Sequence, residues 1–472
     1  MSVVDIIGNN VGAMIAAVEL SKKEEVKVRL FNELPFWGSH LVGTKESQQH
    51  YDFGRIIFDF FSYNDDQNSE ISSYNAKVRN DVGRFYSLIR KYIEELVDVV
   101  EIDTPQMYYD KSYYEDFMFA DSLAILKHLP QDTQKLIIEE LRVVVANNTS
   151  LHASNKKLES SAFVSANTHE VSIANHGKCI HELLIAPFMR KVLATDRPEL
   201  SAIYHRIPWL PLYYPETLLS QFEGKRQQLA KPKFHYPTCG YFSILIHKLK
   251  ETIENSPFIE LRKDKIEAIT PDNKGFVDIK LENETIHSNQ LVWSGDPEVL
   301  LRKLGERKFD NSAVEKLPIS FSFVEIDTIR LKKEFSILTV IDENLLPFRI
   351  TNQTYCSGSP ERQTKLVVEC NPEQLINKAG EEPENQYIEI INNLIQLQII
   401  ETADAVNHVS IKNVSKTIRI PNKRNELLFN EYDKLLSTKY SEIIRMGTSL
   451  DFVSISINDQ IIQGLHIAEK YG

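Results

Sequence analysis

The chain begins with a strand, a helix and a second strand, and this unit restricts the fold more than any other feature. Val3 to Ile7 is a short apolar run rich in β-branched residues that ends at Gly8, which is typical of a strand buried on both faces of a parallel sheet. A helical pattern runs from Val11 to Ser21, and a second apolar strand runs from Val26 to Phe31. A βαβ unit of this size predicts an α/β fold.

The turn between the first strand and the helix is similar to a dinucleotide-binding motif. It reads Gly8-Asn9-Asn10-Val11-Gly12-Ala13 where that motif has G-x-G-x-x-G/A. Gly8 permits the tight turn and Ala13 permits close helix packing, whereas Asn10 replaces the glycine beside which a pyrophosphate lies. Glu33 closes the second strand, where a carboxylate accepts hydrogen bonds from ribose hydroxyls. We predict contacts to the ADP half of a dinucleotide from Gly8, Asn10, Val11, Gly12, Ala13 and Glu33; the alternative is an α/β unit that has lost its ligand.

The composition limits the partners that we expect. Lys and Arg total 54 against 66 Asp and Glu, which gives a net charge of -12, and without a dense basic block neither nucleic acid nor an anionic membrane surface is an expected partner. No apolar run reaches the ~18 residues of a spanning helix, and no basic segment precedes Asp5 as in a secretory signal. The four cysteines include no CxxC pair. We expect a cytoplasmic protein that acts on a small molecule and binds no metal; the sequence does not predict the oligomeric state.

A chain of 472 residues is too long for one hydrophobic core, so we expect two domains. The apolar strand pattern stops after Phe61 and returns beyond Cys239. We predict one discontinuous domain from residues 1–62, 231–325 and 431–472, and a second domain from residues 63–230 and 326–430. The site is expected where the two domains meet, above the carboxyl ends of the parallel strands.

Three further segments join the opening unit in resembling one known superfamily. The first is Trp37-Gly38 followed by Tyr51-Asp52-Phe53-Gly54, the second runs from Tyr236 to Gly240 and continues at Val292 to Pro297, and the third is Gly447 followed by Ser456-Ile457-Asn458-Asp459. Together they resemble the flavoprotein superfamily of amine oxidases, protoporphyrinogen oxidases, carotenoid desaturases and UDP-galactopyranose mutases. Of the glycine pair that the superfamily has after its ribose glutamate, only Gly38 is kept.

The resemblance implies a Rossmann-like FAD-binding domain with an inserted α+β substrate domain, and FAD as the cofactor. It adds Gly38, Asp52, Gly54, Gly447, Ser456, Asn458 and Asp459 to the predicted cofactor contacts. A helix that begins near Asn458 or Asp459 would direct its positive end at the flavin, whereas an ordinary capped terminal helix is the alternative. Thr448 stands where the superfamily often has an arginine after the glycine.

Substrate contacts are suggested at two places. Arg349 lies in Leu346-Pro347-Phe348-Arg349-Ile350-Thr351, which resembles a mutase stretch whose arginine binds the substrate diphosphate; a surface ion pair is the alternative. Tyr213 and Tyr214 lie in a proline-rich aromatic stretch that suits a pocket wall or core packing at a domain boundary. The catalytic residue is not predicted, since His205, His235 and Cys356 are candidates by residue type alone.

Three functions follow from these patterns. The leading one is an FAD-dependent oxidoreductase of the amine oxidase-like superfamily that transfers a hydride from a small organic substrate to the flavin. The second is a UDP-galactopyranose mutase-like enzyme that uses reduced flavin, which the segment around Arg349 favours. The third is a flavoprotein-like binding protein without turnover, which Asn10 and Thr448 favour.

Overall fold

A computed structural model describes residues 2–60, 89–116, 124–147, 166–193, 199–202, 215–224, 234–272, 275–306, 314–359, 361–450 and 456–471. Within these ranges the strands are β1 (Ser2–Ile7), β2 (Val26–Phe31), β3 (Thr44–Glu46), β4 (Gln49–Tyr51), β5 (Phe58–Asp59), β6 (Val99–Glu101), β7 (Gln106–Tyr109), β8 (Ser112–Glu115), β9 (Phe234–Pro237), β10 (Ile259–Arg262), β11 (Ile266–Pro271), β12 (Val277–Leu281), β13 (Thr285–Ser288), β14 (Leu291–Trp293), β15 (Lys316–Asp327), β16 (Ile337–Val340), β17 (Arg349–Asn352), β18 (Gln363–Cys370), β19 (Val406–Arg419) and β20 (Ile443–Arg445).

The helices alternate with these strands along the chain. They are α1 (Val11–Ser21), α2 (Ala124–His128), α3 (Gln131–Asn147), α4 (Thr168–Ile180), α5 (Ala186–Leu193), α6 (Pro215–Phe222), α7 (Ser243–Asn255), α8 (Pro297–Lys303), α9 (Gln353–Ser357), α10 (Pro372–Ala379), α11 (Pro383–Gln396), α12 (Lys423–Lys439) and α13 (Ile457–Tyr471). A π-helical turn, His181–Ile185, joins α4 to α5.

A parallel sheet of five strands, in the order β10-β2-β1-β14-β20, forms the first half of the molecule. Its apolar side chains serve two cores, one shared with α1, α7 and α13 and the other shared with α8, α12 and strands β11 to β13. Because both faces are covered, the strands are apolar on both sides. The predicted mixed α/β class and parallel sheet are confirmed.

Helices α1 and α13 cross very closely, and this contact needs two glycines. A Cβ at Gly464 would lie 2.7 Å from the Gly12 carbonyl oxygen, and a Cβ at Gly12 would lie 3.0 Å from the Gln460 carbonyl oxygen. Any side chain at either position would separate the two helices. The short distance brings the beginning of α13 close to the beginning of α1.

The second half of the molecule is a seven-stranded sheet in the order β19-β15-β18-β17-β16-β7-β8. Every pairing in it is antiparallel except β16 with β7. One face packs against α10 and α11, and the other receives α5 and the segment after β4. Strand β15 lies wholly in this sheet, so the predicted boundary at residue 325 passes through a strand; the exact division into domains stays a prediction.

Lys191 on α5 joins the helical region to the seven-stranded sheet. Its side chain is buried, and its Nζ donates hydrogen bonds to the carbonyl oxygens of Val340 (2.9 Å), Asp342 (2.8 Å) and Pro347 (2.6 Å). Burial lowers the pKa of Lys191 to about 7. The three bonds hold the loop between β16 and β17 against α5.

Replacing Lys191 should destabilise the fold, because Lys191→Met leaves three buried carbonyl groups without a donor. We expect the free energy of unfolding to fall by about 3 kcal/mol at about pH 6, where the ammonium is protonated. Urea denaturation followed by circular dichroism measures this change. Lys178→Met is the control, because Lys178 is exposed and pairs loosely with Glu182, and we expect it to cost about 0.5 kcal/mol or less. Equal losses in the two variants would contradict the assigned role.

Candidate functional site

Three adjacent parallel strands end side by side and create the first part of the site. The chain leaves β1 at Gly8, β14 at Ser294 and β20 at Met446. A Cβ at Gly8, whose φ is +150°, would lie 2.6 Å from the Ser294 carbonyl oxygen. We call this place, formed by Gly8, Asn10, Ser294 and Gly447, the nucleotide edge, because ligands of open α/β sheets bind outside the carboxyl ends of the strands.

Asn10 has a structural role at the nucleotide edge that its sequence position does not reveal. Its Oδ1 accepts hydrogen bonds from the Ala13 backbone N–H (3.0 Å) and from the Ser294 hydroxyl (2.9 Å), and its Nδ2 donates to the Ser294 carbonyl oxygen (3.2 Å). A Cβ at Gly447 would lie 3.4 Å from the same Nδ2. Asn10 therefore caps α1 and links the three strand ends, where a glycine would do neither.

The first backbone N–H groups of α1 are donors that remain available. Val11 and Gly12 are buried, yet no described residue accepts a hydrogen bond from either of their N–H groups. Buried backbone donors are normally paired, and the positive end of a helix favours an anion. These two groups lie at the nucleotide edge, and their predicted contact with a pyrophosphate stays a prediction.

Glu33 lies at the end of β2, away from the strand ends of β14 and β20. Its Oε1 is 2.9 Å from Lys303 Nζ and accepts a hydrogen bond from the Ile266 N–H (3.3 Å). Because a carboxylate has about four acceptor positions, these contacts orient Glu33 without using its full capacity. Its predicted contact with a ribose stays a prediction, and Lys303 is a partner that the sequence did not indicate.

Ser456 and Asp459 begin α13 as a reciprocal cap. The Ser456 hydroxyl donates to Asp459 Oδ2 (2.6 Å) and accepts a hydrogen bond from the Asp459 N–H (3.1 Å). This is the capped helix that the sequence analysis gave as the alternative. Gly447 connects to the same helix, since its N–H donates to Gln463 Oε1. Asn458 is buried in the first turn, and the predicted flavin contact of these residues is a proposal below.

Asp52 is the buried centre of the second part of the site. It accepts hydrogen bonds from the Tyr236 hydroxyl (2.5 Å) and from the Phe242 N–H (2.9 Å). Gln353 Nε2 donates to the Tyr236 hydroxyl (2.9 Å), and the Asp52 N–H donates to Gln353 Oε1 (3.3 Å). Burial raises the pKa of Asp52 to about 6, although the two hydrogen bonds and the charge of Lys365 act in the opposite direction.

The segment from Tyr51 to Gly54 lies on one face of the seven-stranded sheet. The ring of Tyr51 is 5.1 Å from that of Phe323, and the ring of Phe53 is 5.4 Å from that of Phe321. Side chains paired across neighbouring strands point to the same face. This inner face, as we call it, therefore also carries Glu325, Lys365, Val367, Glu369, Arg349 and Thr351.

Arg349 is buried in an ion pair on the inner face. Its Nε and Nη2 each lie 2.5 Å from a carboxylate oxygen of Glu369, and both residues are less than 5% exposed. Glu369 in turn touches Gly54, where a Cβ would lie 2.6 Å from Oε1. Arg349 therefore forms an ion pair, as the alternative stated, but the pair is buried and does not lie on the surface.

Three side chains of the inner face bury polar atoms: Tyr51, Glu325 and Thr351. The Tyr51 hydroxyl and the Glu325 carboxylate interact with each other, whereas Thr351 Oγ1 has no hydrogen-bond partner among the described residues. Burial raises the pKa of the Glu325 carboxyl and the pKa of the Tyr51 hydroxyl above their usual values. A substrate could use these groups as donors and acceptors, which is how small-molecule sites fix orientation.

The two parts of the site are joined through α7. Gly38 donates its N–H to the Asn9 carbonyl oxygen (2.6 Å) beside the nucleotide edge, and with a φ of +80° it packs against Ile246 of α7. The N–H of Phe242, which precedes this helix, bonds Asp52. The structure thus brings Gly8, Asn10 and Gly447 together with Gly38 beside them, and α7 links this group to Asp52. Gly54 and Arg349 both contact Glu369 on the inner face.

Other predicted candidates contribute less. Tyr213, Tyr214 and His205 lie outside the described residues. Cys356 is buried with its Sγ 3.4 Å from the Ser336 carbonyl oxygen, and burial raises the pKa of its thiol, so it is not a reactive thiolate. Among the described residues no group of three or more His, Cys, Asp or Glu side chains is arranged to hold a metal ion. No described helix is both long and apolar enough to span a membrane.

The raised pKa of Asp52 predicts that stability depends on pH. The unfolded carboxyl titrates near ~3.9, so the folded chain binds this proton more tightly, and its contribution to the free energy of unfolding falls by about 3 kcal/mol as the pH rises from about 4 to about 7. Asp52→Asn stays neutral and should lack this decrease. Urea denaturation of both chains across this pH range measures the difference.

Asp404→Asn is the matched control for Asp52. Asp404 is exposed, and hydrogen bonds from Thr402 and Arg330 lower its pKa, so its contribution is lost as the pH falls, which is the opposite sign. Parallel stability curves for the unmodified chain and Asp52→Asn would show that Asp52 has an ordinary pKa.

Comparisons with known proteins give the fold. No protein-family model and no curated protein matches the chain. Among solved structures, reduced UDP-galactopyranose mutase superposes with a TM-score of 0.69 at 16% identity, covering 98% of this chain and 92% of that chain. A protein assigned as a protoporphyrinogen oxidase from Exiguobacterium sp. 255-15 gives 0.64 at 14% identity, covering 99% and 98%. Putrescine oxidase bound to putrescine gives 0.62 at 11% identity, with the same coverage.

Two of these structures carry enzyme names that the sequence resemblance indicated, and the third is an oxidase bound to an amine. They align over nearly the whole chain, so the likeness includes the parallel sheet, the seven-stranded sheet and the seam between them. The chain has the fold that the mutase, the protoporphyrinogen oxidase and the putrescine oxidase share.

Proposed function

We propose that the chain is an FAD-dependent oxidoreductase of the amine oxidase-like superfamily, in which a small organic substrate gives up a hydride. The observation that carries this proposal is the pair of buried N–H groups of Val11 and Gly12 that find no acceptor among the described residues. They lie at the end of the parallel sheet where a dinucleotide pyrophosphate binds. The solved structures with the same fold include an oxidase bound to putrescine.

The residues of the nucleotide edge fit the ADP half of FAD. Gly8 turns the chain without a side chain, and the N–H groups of Val11 and Gly12 supply charge-complementary donors to a pyrophosphate. Glu33, held by Lys303, would accept the ribose hydroxyls. Asn10 fits as well, because its amide is already engaged with Ser294 and Ala13 and is held at the cap of α1.

The flavin end is assigned to the strand ends of β20 and the beginning of α13. Gly447, Asn458 and the cap formed by Ser456 and Asp459 would lie near the ring, and the positive end of α13 would stabilise negative charge on it. FAD, when bound, supplies the hydride acceptor. Gly38, Asp52 and Gly54 would support the ring from the side of α7, with Asp52 acting through the position of its neighbours.

The inner face would bind the substrate. Tyr51, Glu325 and Thr351 carry buried polar atoms there, and Phe53, which packs against Phe321 and Phe323 but is itself only partly buried, offers apolar surface. This mixture suits an orientable small molecule with an apolar part. The chain's contribution is to bind and orient that molecule and to exclude water from it.

A sugar-nucleotide mutase is less well supported than the oxidoreductase. The sequence argument for it rested on Arg349, and both the Nε and the Nη2 of this arginine already bond Glu369. A bidentate carboxylate occupies the groups that would bind a diphosphate. The fold likeness to a mutase remains, so the substrate experiments below include this reaction.

The first experiment is the absorbance spectrum of the purified chain, followed by heat release and chromatography of any cofactor. FAD near one equivalent is the expected result, and it would exclude an α/β unit that has lost its ligand. A colourless chain that also fails to take up added FAD would overturn the proposal. Anaerobic mixing with small amines, and with sugar nucleotides before and after chemical reduction, then distinguishes oxidation from mutase activity by bleaching of the flavin or by isomerisation alone.

Gly8→Ala tests the nucleotide edge directly. The added Cβ would meet the Ser294 carbonyl oxygen at 2.6 Å, so the turn must move away from the strand end, and we expect the dissociation constant for FAD to rise about tenfold or more. Flavin fluorescence titration measures it. Gly380→Ala is the control, because Gly380 has a φ of +80° but no atom within 4 Å of its Cβ position. An unchanged affinity in Gly8→Ala would place the cofactor elsewhere.

A further inference from the structure

Two cations of the seven-stranded sheet bind an acid beside the nucleotide edge. Lys316 and Arg419 are directly opposite each other across β15 and β19. Lys316 Nζ lies 3.0 Å from Asp296 Oδ2, and Arg419 Nη2 lies 3.2 Å from Asp296 Oδ1. Arg419 Nη2 also donates to Glu298 Oε2 (3.1 Å). One carboxylate thus bridges two cross-strand cations, and a second carboxylate completes the cluster.

This cluster is continuous with the turn after β20. Arg419 Nη1 donates to the Thr448 carbonyl oxygen (3.1 Å), and the Thr448 hydroxyl donates to Asp296 Oδ1 (2.9 Å). Thr448 directly follows Gly447, which packs against Asn10. Asp296 lies two residues after Ser294 and precedes α8. We call Arg419, Lys316, Asp296, Glu298 and Thr448 the Arg419 clamp.

The clamp is buried at Arg419 and Glu298 and partly exposed at Asp296 and Lys316, and it contains two cations and two acids. Arg419 is 7% exposed and Glu298 is 2% exposed. Burial alone would raise the pKa of Asp296, but the charges of Arg419 and Lys316 hold this pKa below its usual value. Acids beside the nucleotide edge would repel a pyrophosphate bound there, and the two cations neutralise them.

We propose that Arg419 is a positioning residue for the cofactor. By binding the Thr448 carbonyl and the acids of α8 at once, it fixes the turn Gly447–Ser449 relative to Gly8 and Asn10, and it shields a bound pyrophosphate from Asp296 and Glu298. The residue belongs to the seven-stranded sheet, so the half of the molecule assigned to the substrate also shapes the cofactor site. The inference rests on the proposed binding of FAD.

The test is a fluorescence titration of the full chain with FAD. Arg419→Met removes both the hydrogen bond to Thr448 and the neutralising charge, and we expect the dissociation constant to rise about tenfold or more. Arg419→Lys keeps the charge but cannot reach the carbonyl and both acids together, so we expect a smaller loss. Arg190→Met is the matched control, because Arg190 makes a bidentate ion pair with Glu343 far from the nucleotide edge, and its dissociation constant should stay within about twofold.

Each outcome is decisive. Circular dichroism and thermal denaturation of the FAD-free chains check that Arg419→Met and Arg190→Met are folded, and Arg419→Lys keeps the test valid if Arg419→Met does not fold. Unchanged affinity in the Arg419 variants, or equal losses in these variants and in Arg190→Met, would overturn the positioning role while leaving FAD binding intact. Failure of the unmodified chain to bind FAD would instead overturn the proposed function, and the role of Arg419 with it.

Discussion

The desolvated carboxylate of Asp52 fixes the relation between the two halves of the molecule. A buried carboxylate is costly unless hydrogen bonds fill its acceptor positions, and Asp52 obtains them from Tyr236 of β9 and from Phe242 just before α7. Gln353 of α9 completes the network from the seven-stranded sheet. As long as these segments stay together, Gly54 stays against Glu369 and the inner face stays beside α7. Much of the site geometry therefore depends on one charge that water cannot reach.

Local features of the fold could be predicted from the sequence. Helix α1 begins and ends at Val11 and Ser21 as its pattern predicts, and β2 also has the predicted bounds. Each depends on apolar periodicity and on turn residues within a short window. The order of the seven-stranded sheet could not be predicted, because β7 and β8 come from a distant part of the chain and join β16 only through tertiary packing.

The candidate residues also divide into those with local roles, which the sequence predicts, and those whose partners depend on tertiary packing. The tight turn at Gly8 follows from backbone geometry and was predicted from the motif, whereas the partner of a charged side chain is determined by the fold. Arg349 was identified as a residue of interest, but nothing in the sequence indicates that Glu369 covers it. Asn10 suggested a defective motif, because the motif is defined by the space that a bound ligand needs. The sequence did not reveal its structural role, because its partner Ser294 lies 284 positions away.

The paired strands β15 and β19 restrict which parts of the molecule can be exchanged with those of a related protein. Their ends at Lys316 and Arg419 supply the counter-charges of Asp296 and Glu298 in the other half. The half that holds the parallel sheet, cut out on its own, would keep these acids and lose their cations. The halves are therefore not interchangeable modules, and a recombinant that takes its substrate half from a related protein must inherit a matching pair of basic residues at this seam.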